Sequence, residues 1–373
     1  IPLDQEGYAD MSFGVKGYQQ QESVLHLLID PDGVVTAYKD QGYAEMKCGI
    51  RSGDQKAFLR VSQDSSEQGQ AVDSLKKNLI KVENIPFEDS LKDDQVLVEI
   101  AYAGICGSDL HNYKTGCWIS RSPSTPGHEF SGKILKIGKK VNSLKVNDHV
   151  IADSRVFCED CYYCKKKLYH LCLNLGFVDE LNDGEFAKFS IQKKKQLLKI
   201  SKSIDLKNAA LIEPLAVALH AISKFDNSKY NNVLIVGLGP IGVLSALSLR
   251  ELGAKSIKIY DINKHRLNKI SHQLNFDIFD PAEDIKEHKK PNFCIDATNS
   301  PNALQFILNN ISKGGKISLV GLTHELSEIE VVKIVEAGIE LYGCAAYNNE
   351  LDQAVNFLNK ISKYISKIIS QPI

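Results

Sequence analysis

The sequence predicts an α/β protein built around a doubly wound parallel sheet. Two observations favour this fold class. Apolar strand-like runs alternate with helical segments from about residue 204 to residue 344, and the first such strand is followed directly by a glycine-rich turn. The length of 373 residues suggests about two domains, so a second domain is expected beside this sheet.

The glycine-rich turn lies in NNVLIVGLGPIGVLSALSLRELGAKSIKIYDINKHRL, residues 231–267. A buried strand at 233–236 precedes G-x-G-x-x-G, an apolar helix follows, and a second strand ends at Asp261. The first glycine allows a tight turn, the second lets a pyrophosphate approach the backbone, and the third lets the helix pack closely on the strand. These features in this order predict a dinucleotide site, formed by Gly237, Gly239, Pro240, Ile241, Gly242, Asp261 and Arg266.

The acid at the end of the second strand bears on the choice of dinucleotide. The Asp261 carboxylate can accept hydrogen bonds from ribose hydroxyls and would repel a 2′-phosphate, so NAD is predicted. Lys264 and Arg266 lie just beyond this acid and leave NADP open as the alternative.

The alternation continues after residue 290. NFCIDAT, GKISLVGL and IELYGCAAY read as strands, and PNALQFILNNI reads as a helix. Cys294 and Cys344 fall inside the apolar strands and are expected to be buried small side chains.

A cluster of four cysteines stands at 158–172, with the spacing C-x2-C-x2-C-x7-C. Disulfide frameworks belong to small secreted domains. In a ferredoxin run, three residues separate the last two cysteines and a proline follows the last one, which is not the pattern here. Four thiolates from one compact loop suit a closed tetrahedral zinc site instead, formed by Cys158, Cys161, Cys164 and Cys172. His170 lies within this loop and is expected on the surface, because the cysteines already complete the shell.

The charge balance excludes several classes of partner. With 45 basic and 46 acidic residues the net charge is −1, which argues against a broad surface for nucleic acid or anionic membrane. No apolar run reaches the roughly eighteen residues of a membrane span. The partner is therefore expected to be a small molecule, with no nucleic acid and no membrane. Reduced cysteines in a metal loop indicate the cytoplasm.

Three further fragments carry side chains that bind metals. AGICGSDLH, TPGHEFSG and LIEPLAVALH supply a thiol, an imidazole and two carboxylates, namely Cys106, His128, Glu129 and Glu213. Taken singly, each has an ordinary alternative as a core thiol, a buried histidine, a surface acid or an acid in the first turn of a helix.

Together with the four-cysteine loop and VGLGPIG, these fragments resemble the zinc-dependent medium-chain dehydrogenases, in particular the sorbitol, threonine and butanediol branch. The resemblance runs from about residue 76 to residue 373. It implies a GroES-like, mostly-β catalytic domain beside a Rossmann domain. It also implies the roles of the site residues: Cys106, His128 and Glu129 bind a catalytic zinc, Glu213 is a nearby or alternating ligand, Asp109 supports the metal shell, and Ser108 and His111 pass a proton outward. The related alcohol branch has a second cysteine where Glu213 stands.

The expected function is a zinc-dependent oxidoreductase with two zinc ions per chain. It would transfer a hydride between NAD and a secondary alcohol, a polyol or a sugar-alcohol phosphate. The alternatives are an NADP-dependent ketone reductase and a catalytically silent, zinc-stabilised scaffold of the same fold. The resemblance also implies a homodimer or homotetramer.

The two ends of the chain suggest an altered order of segments. Residues 345–373 end in an amphipathic pattern, whereas residues 1–30 look like the closing segment of the catalytic domain or a separate N-terminal module. A circular permutation would join Ile1 to Ile373 in space. The expected domains are 1–30, a repeat and linker at 31–70, the catalytic domain at 71–203, the nucleotide-binding domain at 204–344, and a return to the catalytic domain at 345–373. The repeat pairs GYADMSFGVKG at 7–17 with GYAEMKCGIRSG at 42–53.

Overall fold

The computed structural model describes two compact units of the chain. It describes the strands at 9–15, 23–29, 35–39 and 42–46, and residues 90–115, 125–225, 232–284, 286, 289–322 and 328–368. The first unit comprises residues 1–88 and 107–124, and the second comprises residues 89–106 and 125–373.

The described residues of the first unit form a four-stranded antiparallel sheet and one helix. The elements are β1 (Ala9–Val15), β2 (Ser23–Ile29), β3 (Val35–Lys39), β4 (Gly42–Met46) and α1 (Gly107–Thr115). The strands lie in sequence order, with Ala9 opposite Ile29 and Val35 opposite Met46. The two copies of the repeat therefore contribute β1 and β4, which lie at opposite ends of this order.

The permutation hypothesis concerns residues beyond those that the structure describes. Ile1 and Ile373, which it would join, lie outside the described residues, as does the predicted linker at 62–70. The permutation and the domain limits at both ends of the chain stay predictions.

The second unit begins with a five-stranded antiparallel sheet in the order β10-β5-β6-β7-β11. Its strands are β5 (Gln95–Gly104), β6 (Glu129–Ile137), β7 (His149–Ala152), β10 (Phe189–Lys193) and β11 (Leu197–Ile200). Val96, Val98, Phe130, Ile134 and Val150 fill its apolar core. Since β5 and β6 run antiparallel with Gly104 opposite Glu129, the end of β5 lies beside the start of β6.

A short ribbon carries the cysteine loop. It pairs β8 (Arg155–Val156) with β9 (Gly176–Phe177), and the loop between them contains α2 (Tyr162–Lys165) and a 3-10 turn at Tyr169–Leu171. Helix α3 (Val178–Leu181) follows β9 directly, and a second 3-10 turn at Lys194–Gln196 joins β10 to β11.

The rest of the second unit is a six-stranded parallel sheet in the order β14-β13-β12-β15-β16-β17. Its strands are β12 (Asn232–Val236), β13 (Ser256–Tyr260), β14 (Asp277–Ile278), β15 (Phe293–Asp296), β16 (Lys316–Leu319) and β17 (Glu340–Gly343). Its helices are α4 (Leu206–Ala209), α5 (Ile212–Ile222), α6 (Pro240–Glu251), α7 (Lys264–Leu274), α8 (Ala303–Asn310), α9 (Val331–Ala337) and α10 (Glu350–Ile368).

Helices cover both faces of this sheet. Along β12, Val233 and Ile235 join the apolar cluster that includes α5, α6 and α10, whereas Leu234 and Val236 join the cluster that includes α8. Successive side chains of a strand point to opposite faces, so this central strand is buried from both sides. The doubly wound parallel sheet is thus observed.

Helix α10 has the amphipathic pattern expected from the sequence. Its buried residues Leu351, Ala354, Leu358, Ile361 and Ile365 recur at intervals of three and four, and they pack in the cluster shared with α5 and α6. None of the helices in the described part of the chain combines the length and the apolar character that crossing a bilayer requires.

Candidate metal and nucleotide sites

The ends of β5 and β6 bring three predicted metal ligands together. Cys106 follows β5, His128 precedes β6, and Glu129 is its first residue. One ligand atom from each of the three side chains lies within 4.8 Å of the others, and His128 and Glu129 are buried. A side chain at Gly104 would overlap the Glu129 carboxylate, so this glycine provides the space that the acid occupies.

Gly127 sets the backbone that presents the histidine. Its φ of +103° lies in the left-handed region, and a Cβ there would come within 2.7 Å of the Phe186 ring. A side chain at this position would therefore strain the turn and force the Phe186 ring to shift.

A carboxylate that the sequence did not single out holds the same histidine. Asp179, in the first turn of α3, lies with Oδ2 3.0 Å from Nδ1 of His128. Burial by itself would lower the pKa of His128, but hydrogen bonds to Asp179 and Cys106 outweigh it and raise the pKa well above the usual value. Burial opposes ionisation of Asp179 too, yet its hydrogen bond to His128 keeps the pKa of Asp179 below the usual value.

Glu213 lies in α5 and has its own partner. Ser154 donates a hydrogen bond of 2.5 Å from Oγ to Oε1 of Glu213, and the carboxylate is almost fully buried. Burial raises the pKa of Glu213 above the usual value, although His128 and the bond from Ser154 act in the opposite direction. Within the described residues, the groups of ligand atoms lying within 4.8 Å of one another do not include Glu213.

A buried polar network fixes the segment that carries Ser154. Tyr347 donates from its hydroxyl to Asp153 over 3.1 Å, and the backbone N–H of Ser154 donates to the same hydroxyl over 3.2 Å. Arg155 forms an ion pair with Asp153 at 2.8 Å and donates to the carbonyl oxygens of Tyr347 and Asn348. The guanidinium also stacks 4.1 Å from the Tyr347 ring centroid. The network joins β8 to the segment before α10.

The remaining predicted catalytic residues, Ser108, Asp109 and His111, lie on α1 in the first unit. Their roles in proton transfer and metal support stay predictions.

The four cysteines of the loop lie together. The sulfur of Cys172 is 3.5 Å from that of Cys158 and 3.9 Å from that of Cys161, and the sulfurs of Cys158 and Cys164 are 4.0 Å apart. Four sulfurs around a tetrahedral zinc with bonds of about 2.3 Å would be roughly 3.8 Å apart. The donor set and its spacing therefore fit a closed zinc site.

Backbone N–H groups point at these sulfurs. Cys161 N donates to the Cys158 sulfur over 3.3 Å, and Asn174 N donates to the Cys172 sulfur over 3.4 Å. Donors from Cys164 and Leu173 lower the pKa of the Cys161 thiol to about 6, whereas burial raises the pKa of Cys164 to about 12. The loop thus stabilises thiolate at its more accessible cysteines.

The expectation that His170 lies on the surface was wrong. Its ring is half-buried and packs edge-on against His220 of α5, with ring centroids 4.9 Å apart. Nδ1 of His220 lies 2.9 Å from Glu350, the first residue of α10, and Tyr169 N donates to the side chain of Asn348. The cysteine loop therefore docks on the helices of the parallel sheet, which a local reading of the loop cannot reveal.

The predicted nucleotide turn has the features that a pyrophosphate requires. A Cβ at Gly242 would overlap the carbonyl oxygen of Gly237, and Gly237 itself has a φ of +89°. By contrast, a Cβ at Gly239 would meet no atom within 4 Å, so the backbone there is accessible to a ligand at the N-terminus of α6. Pro240 is the first residue of that helix, followed by Ile241.

Asp261 follows β13 and lies against this turn. Leu238 N donates to Oδ2 of Asp261 over 2.8 Å, and Asn263 N donates to Oδ1 over 2.8 Å. The half-exposed Arg266 side chain forms an ion pair with the same carboxylate at 3.2 Å. The structure therefore brings the predicted nucleotide-binding residues to the carboxyl ends of β12 and β13.

Comparisons with known proteins agree with this arrangement. Residues 92–202 match the family described as Alcohol dehydrogenase GroES-like domain, and residues 240–360 match the family described as Zinc-binding dehydrogenase. Sorbitol dehydrogenase of Bacillus subtilis (strain 168) is 31% identical over 292 residues, which cover 75% of this chain and 82% of the relative.

Two solved structures resemble the fold. Galactitol-1-phosphate dehydrogenase from Escherichia coli has a TM-score of 0.70 at 26% identity and covers 76% of this chain and 87% of its own. A short chain alcohol dehydrogenase from E. coli CFT073, complexed with NADH, has a TM-score of 0.68 at 28% identity and covers 76% of this chain and 86% of its own.

These matches confirm the predicted fold class, a GroES-like domain with an antiparallel sheet beside a Rossmann-type domain with a parallel sheet. The first matched range includes the thiol, imidazole and carboxylate cluster, and the second begins at Pro240, the first residue of the helix that follows Gly239. The chain therefore belongs to the zinc-dependent medium-chain alcohol and polyol dehydrogenase family, and it is an alcohol or polyol oxidoreductase.

Proposed function

We propose that the chain oxidises a secondary alcohol or polyol with NAD at a zinc site formed by Cys106, His128 and Glu129. The observation that carries this proposal is the convergence of these three side chains at the ends of β5 and β6. A thiolate, a neutral imidazole and a carboxylate are ligands that zinc accepts, and a set of three protein ligands is typical of catalytic zinc.

The chemistry divides between the bound groups and the chain. Zinc at this site would supply a Lewis acid that favours loss of the proton from a substrate hydroxyl. NAD at the glycine turn would supply the hydride acceptor. Gly237, Gly239 and Gly242 shape the turn that holds the dinucleotide, and the helix that begins at Pro240 directs its N-terminus to the phosphates.

We assign the remaining roles by resemblance to the family. Ser108 and His111 carry the substrate proton to solvent, and Asp109 supports the metal shell. Glu213 serves as a nearby or alternating ligand. Its bond from Ser154 and its burial support this role, because they hold the carboxyl group at a defined position.

A second zinc in the loop of Cys158, Cys161, Cys164 and Cys172 has a structural role in this proposal. The sulfur separations of 3.5 to 4.0 Å and the backbone donors support it. Thiol ligands at both sites require a reducing environment, so we also propose the cytoplasm as the compartment.

The substrate class follows from the relatives. One of them is named for sorbitol and one for galactitol 1-phosphate, so the substrate panel contains secondary alcohols, polyols, amino alcohols and sugar-alcohol phosphates. The purified protein is assayed on this panel with NAD and with NADP, before and after treatment with a chelator. We expect NAD-dependent oxidation of at least one polyol that is lost with the metal and regained with zinc. Activity that survives complete removal of zinc would overturn the mechanism.

The choice of NAD over NADP rests on Asp261. Replacing Asp261 by alanine is expected to lower kcat/KM with NAD by about 10- to 100-fold, because hydrogen bonds to a charged group contribute about 1.5–3 kcal/mol. The value with NADP is expected to stay the same or to rise, since repulsion of a 2′-phosphate is removed and Arg266 remains beside it. Initial rates with both cofactors measure this ratio.

The control for this prediction is Asp277→Ala, which removes an exposed acid from the neighbouring strand β14. If Asp261→Ala and this control have the same ratio of kcat/KM with NAD to kcat/KM with NADP, Asp261 does not determine the choice of cofactor.

We propose that two copies associate through the parallel sheet. In the described part of the sheet β17 is an end strand, and α9 beside it exposes Val331, Val332 and Val335. Unpaired strand edges and exposed apolar side chains are what a second copy can cover. A dimer that pairs along β17 would cover both the strand edge and the exposed valines of α9, and a tetramer would join two such dimers.

Val335→Asp is expected to weaken this association by about 100-fold or more, because a buried, unpaired charge costs several kcal/mol. Size-exclusion chromatography with light scattering across a dilution series measures the change. Val146→Asp places the same charge on an exposed valine of the five-stranded-sheet domain and serves as control. Equal oligomeric states for the two variants would argue against this interface.

A further inference from the structure

We propose that Asp179 is a positioning residue of the catalytic metal site, holding the His128 imidazole in the tautomer and orientation that metal binding requires. The inference rests on the zinc site proposed above. Asp179 belongs to none of the sequence motifs that resemble the family.

The first support is the contact itself. Oδ2 of Asp179 lies 3.0 Å from Nδ1 of His128, and both side chains are more than nine-tenths buried. A carboxylate opposite Nδ1 fixes the proton on that nitrogen, so Nε2 is the nitrogen that the proposal gives to the metal. Buried pairs of this kind hold their geometry better than exposed ones, because water does not compete for the acceptor.

The second support is that the same oxygen also holds the backbone before the histidine. Gly127 N donates to Oδ2 of Asp179 over 3.3 Å. Gly127 is the residue with a φ of +103°, which directs the chain into the metal cluster. One carboxylate therefore stabilises both the ring of His128 and the turn that presents it.

The third support is that Asp179 is itself held in place. Val178 is fully buried and donates from its backbone to the carbonyl oxygen of Ser154 over 2.9 Å. The next residue, Glu180, accepts from Phe177 N over 3.1 Å and closes the first turn of α3. Asn182 N also donates to the carbonyl oxygen of Val178 over 2.8 Å, so Asp179 lies inside a hydrogen-bonded turn that presents its carboxylate.

The position of Asp179 in the chain adds a link between the two metal sites. Helix α3 directly follows β9, which pairs with β8 in the ribbon that carries the cysteine loop. Asp179 is seven residues beyond Cys172. The chain that leaves the structural loop therefore supplies the partner of His128.

The consequence is a defined effect on metal affinity. A carboxylate that orients a ligating histidine raises its basicity and fixes its ring, and loss of such a partner typically weakens metal binding by about 10- to 100-fold. Asp179→Asn keeps the size of the side chain and an acceptor for Gly127 but removes the charge. It is expected to weaken zinc at the Cys106, His128 and Glu129 site by about 10-fold or more, with zinc in the cysteine loop retained.

The experiment measures zinc retention in the purified full-length protein by competition with a chromophoric chelator. Wild type is expected to release two zinc ions at different chelator concentrations, the catalytic one first. The matched control is Asp277→Asn, which makes the same change at an exposed acid of β14 and leaves the bond between Asp179 and His128 intact. Asp179→Glu keeps the carboxylate and is expected to restore part of the affinity.

The outcomes separate this inference from the proposal on which it depends. A wild-type chain that binds only one zinc overturns both. Two zinc ions in wild type with unchanged retention in Asp179→Asn overturn the positioning role alone. If Asp179→Asn loses zinc from both sites, the Asp179→Glu variant distinguishes a role of the carboxylate from a role of packing. Recovery of the catalytic ion supports the carboxylate role, and an equal loss shows that only packing at this position matters.

Discussion

Replacing Cys106 by serine is expected to lower kcat by about 1000-fold or more, while the affinity for NAD stays within about twofold of wild type. A serine hydroxyl does not ionise near neutral pH and cannot replace the thiolate as a zinc ligand. The charge stabilisation of several kcal/mol that zinc supplies would be lost, and 4 kcal/mol corresponds to about 1000-fold in rate. Steady-state kinetics give kcat, and isothermal titration gives the NAD affinity.

The affinity for NAD is expected to survive because the glycine turn is built by other elements. It lies between β12 and α6, in the parallel sheet, whereas Cys106 follows β5 of the antiparallel sheet. Cys344→Ser is the control, since it removes a buried thiol outside both cysteine-containing clusters. A Cys106→Ser variant with the kcat of this control would show that the cluster is not the catalytic centre.

Much of the candidate site could be predicted from the sequence because its parts are local. The spacing of the four cysteines brings their sulfurs together through a loop of fifteen residues, from Cys158 to Cys172. The glycine turn needs only a strand, three glycines and a helix in order. Cys106, His128 and Glu129 required the family resemblance, since they come from separate stretches of chain that meet only when β5 pairs with β6.

The partners of these residues could not be predicted in the same way. Asp179 is 51 residues from His128, and Ser154 is 59 residues from Glu213. Arg155 reaches the carbonyl of Tyr347 across 192 residues. None of these contacts has a spacing rule, because each depends on how the β8-β9 ribbon packs on the rest of the second unit.

The mistaken expectation for His170 has the same physical origin. His170 was expected on the surface because four cysteines already complete the metal shell, an argument that considers only the loop. The ring is half-buried because the loop packs on α5 and on the start of α10, where His220 and Glu350 form a pair at 2.9 Å. Burial opposes the charge of Glu350, but its bond to His220 prevails and lowers the pKa of this carboxyl to about 2.

Replacing Cys161 by serine is expected to affect stability rather than the chemical step. Loss of a structural metal is among the few single changes that cost about 4 kcal/mol or more. For a protein of this size 4 kcal/mol corresponds to a decrease in Tm of about 5 °C. The loop of Cys161 contacts His220 of α5 through His170, and Tyr169 N of the loop donates to Asn348 in the segment before α10, so its loosening would reach the core of the parallel sheet. Thermal unfolding and zinc analysis measure the effect.

The comparison with Cys106→Ser decides whether the two clusters have separate roles. Cys161→Ser should lose one zinc and much of its thermal stability, and the fraction that remains folded at low temperature should keep a kcat within about tenfold of wild type, since the residues that would contact substrate are unchanged. Cys106→Ser should show the reverse, with nearly normal Tm and no turnover. If the two variants lost stability and activity to the same degree, the division into a catalytic and a structural metal site would be wrong, because each serine would then be acting on one common centre.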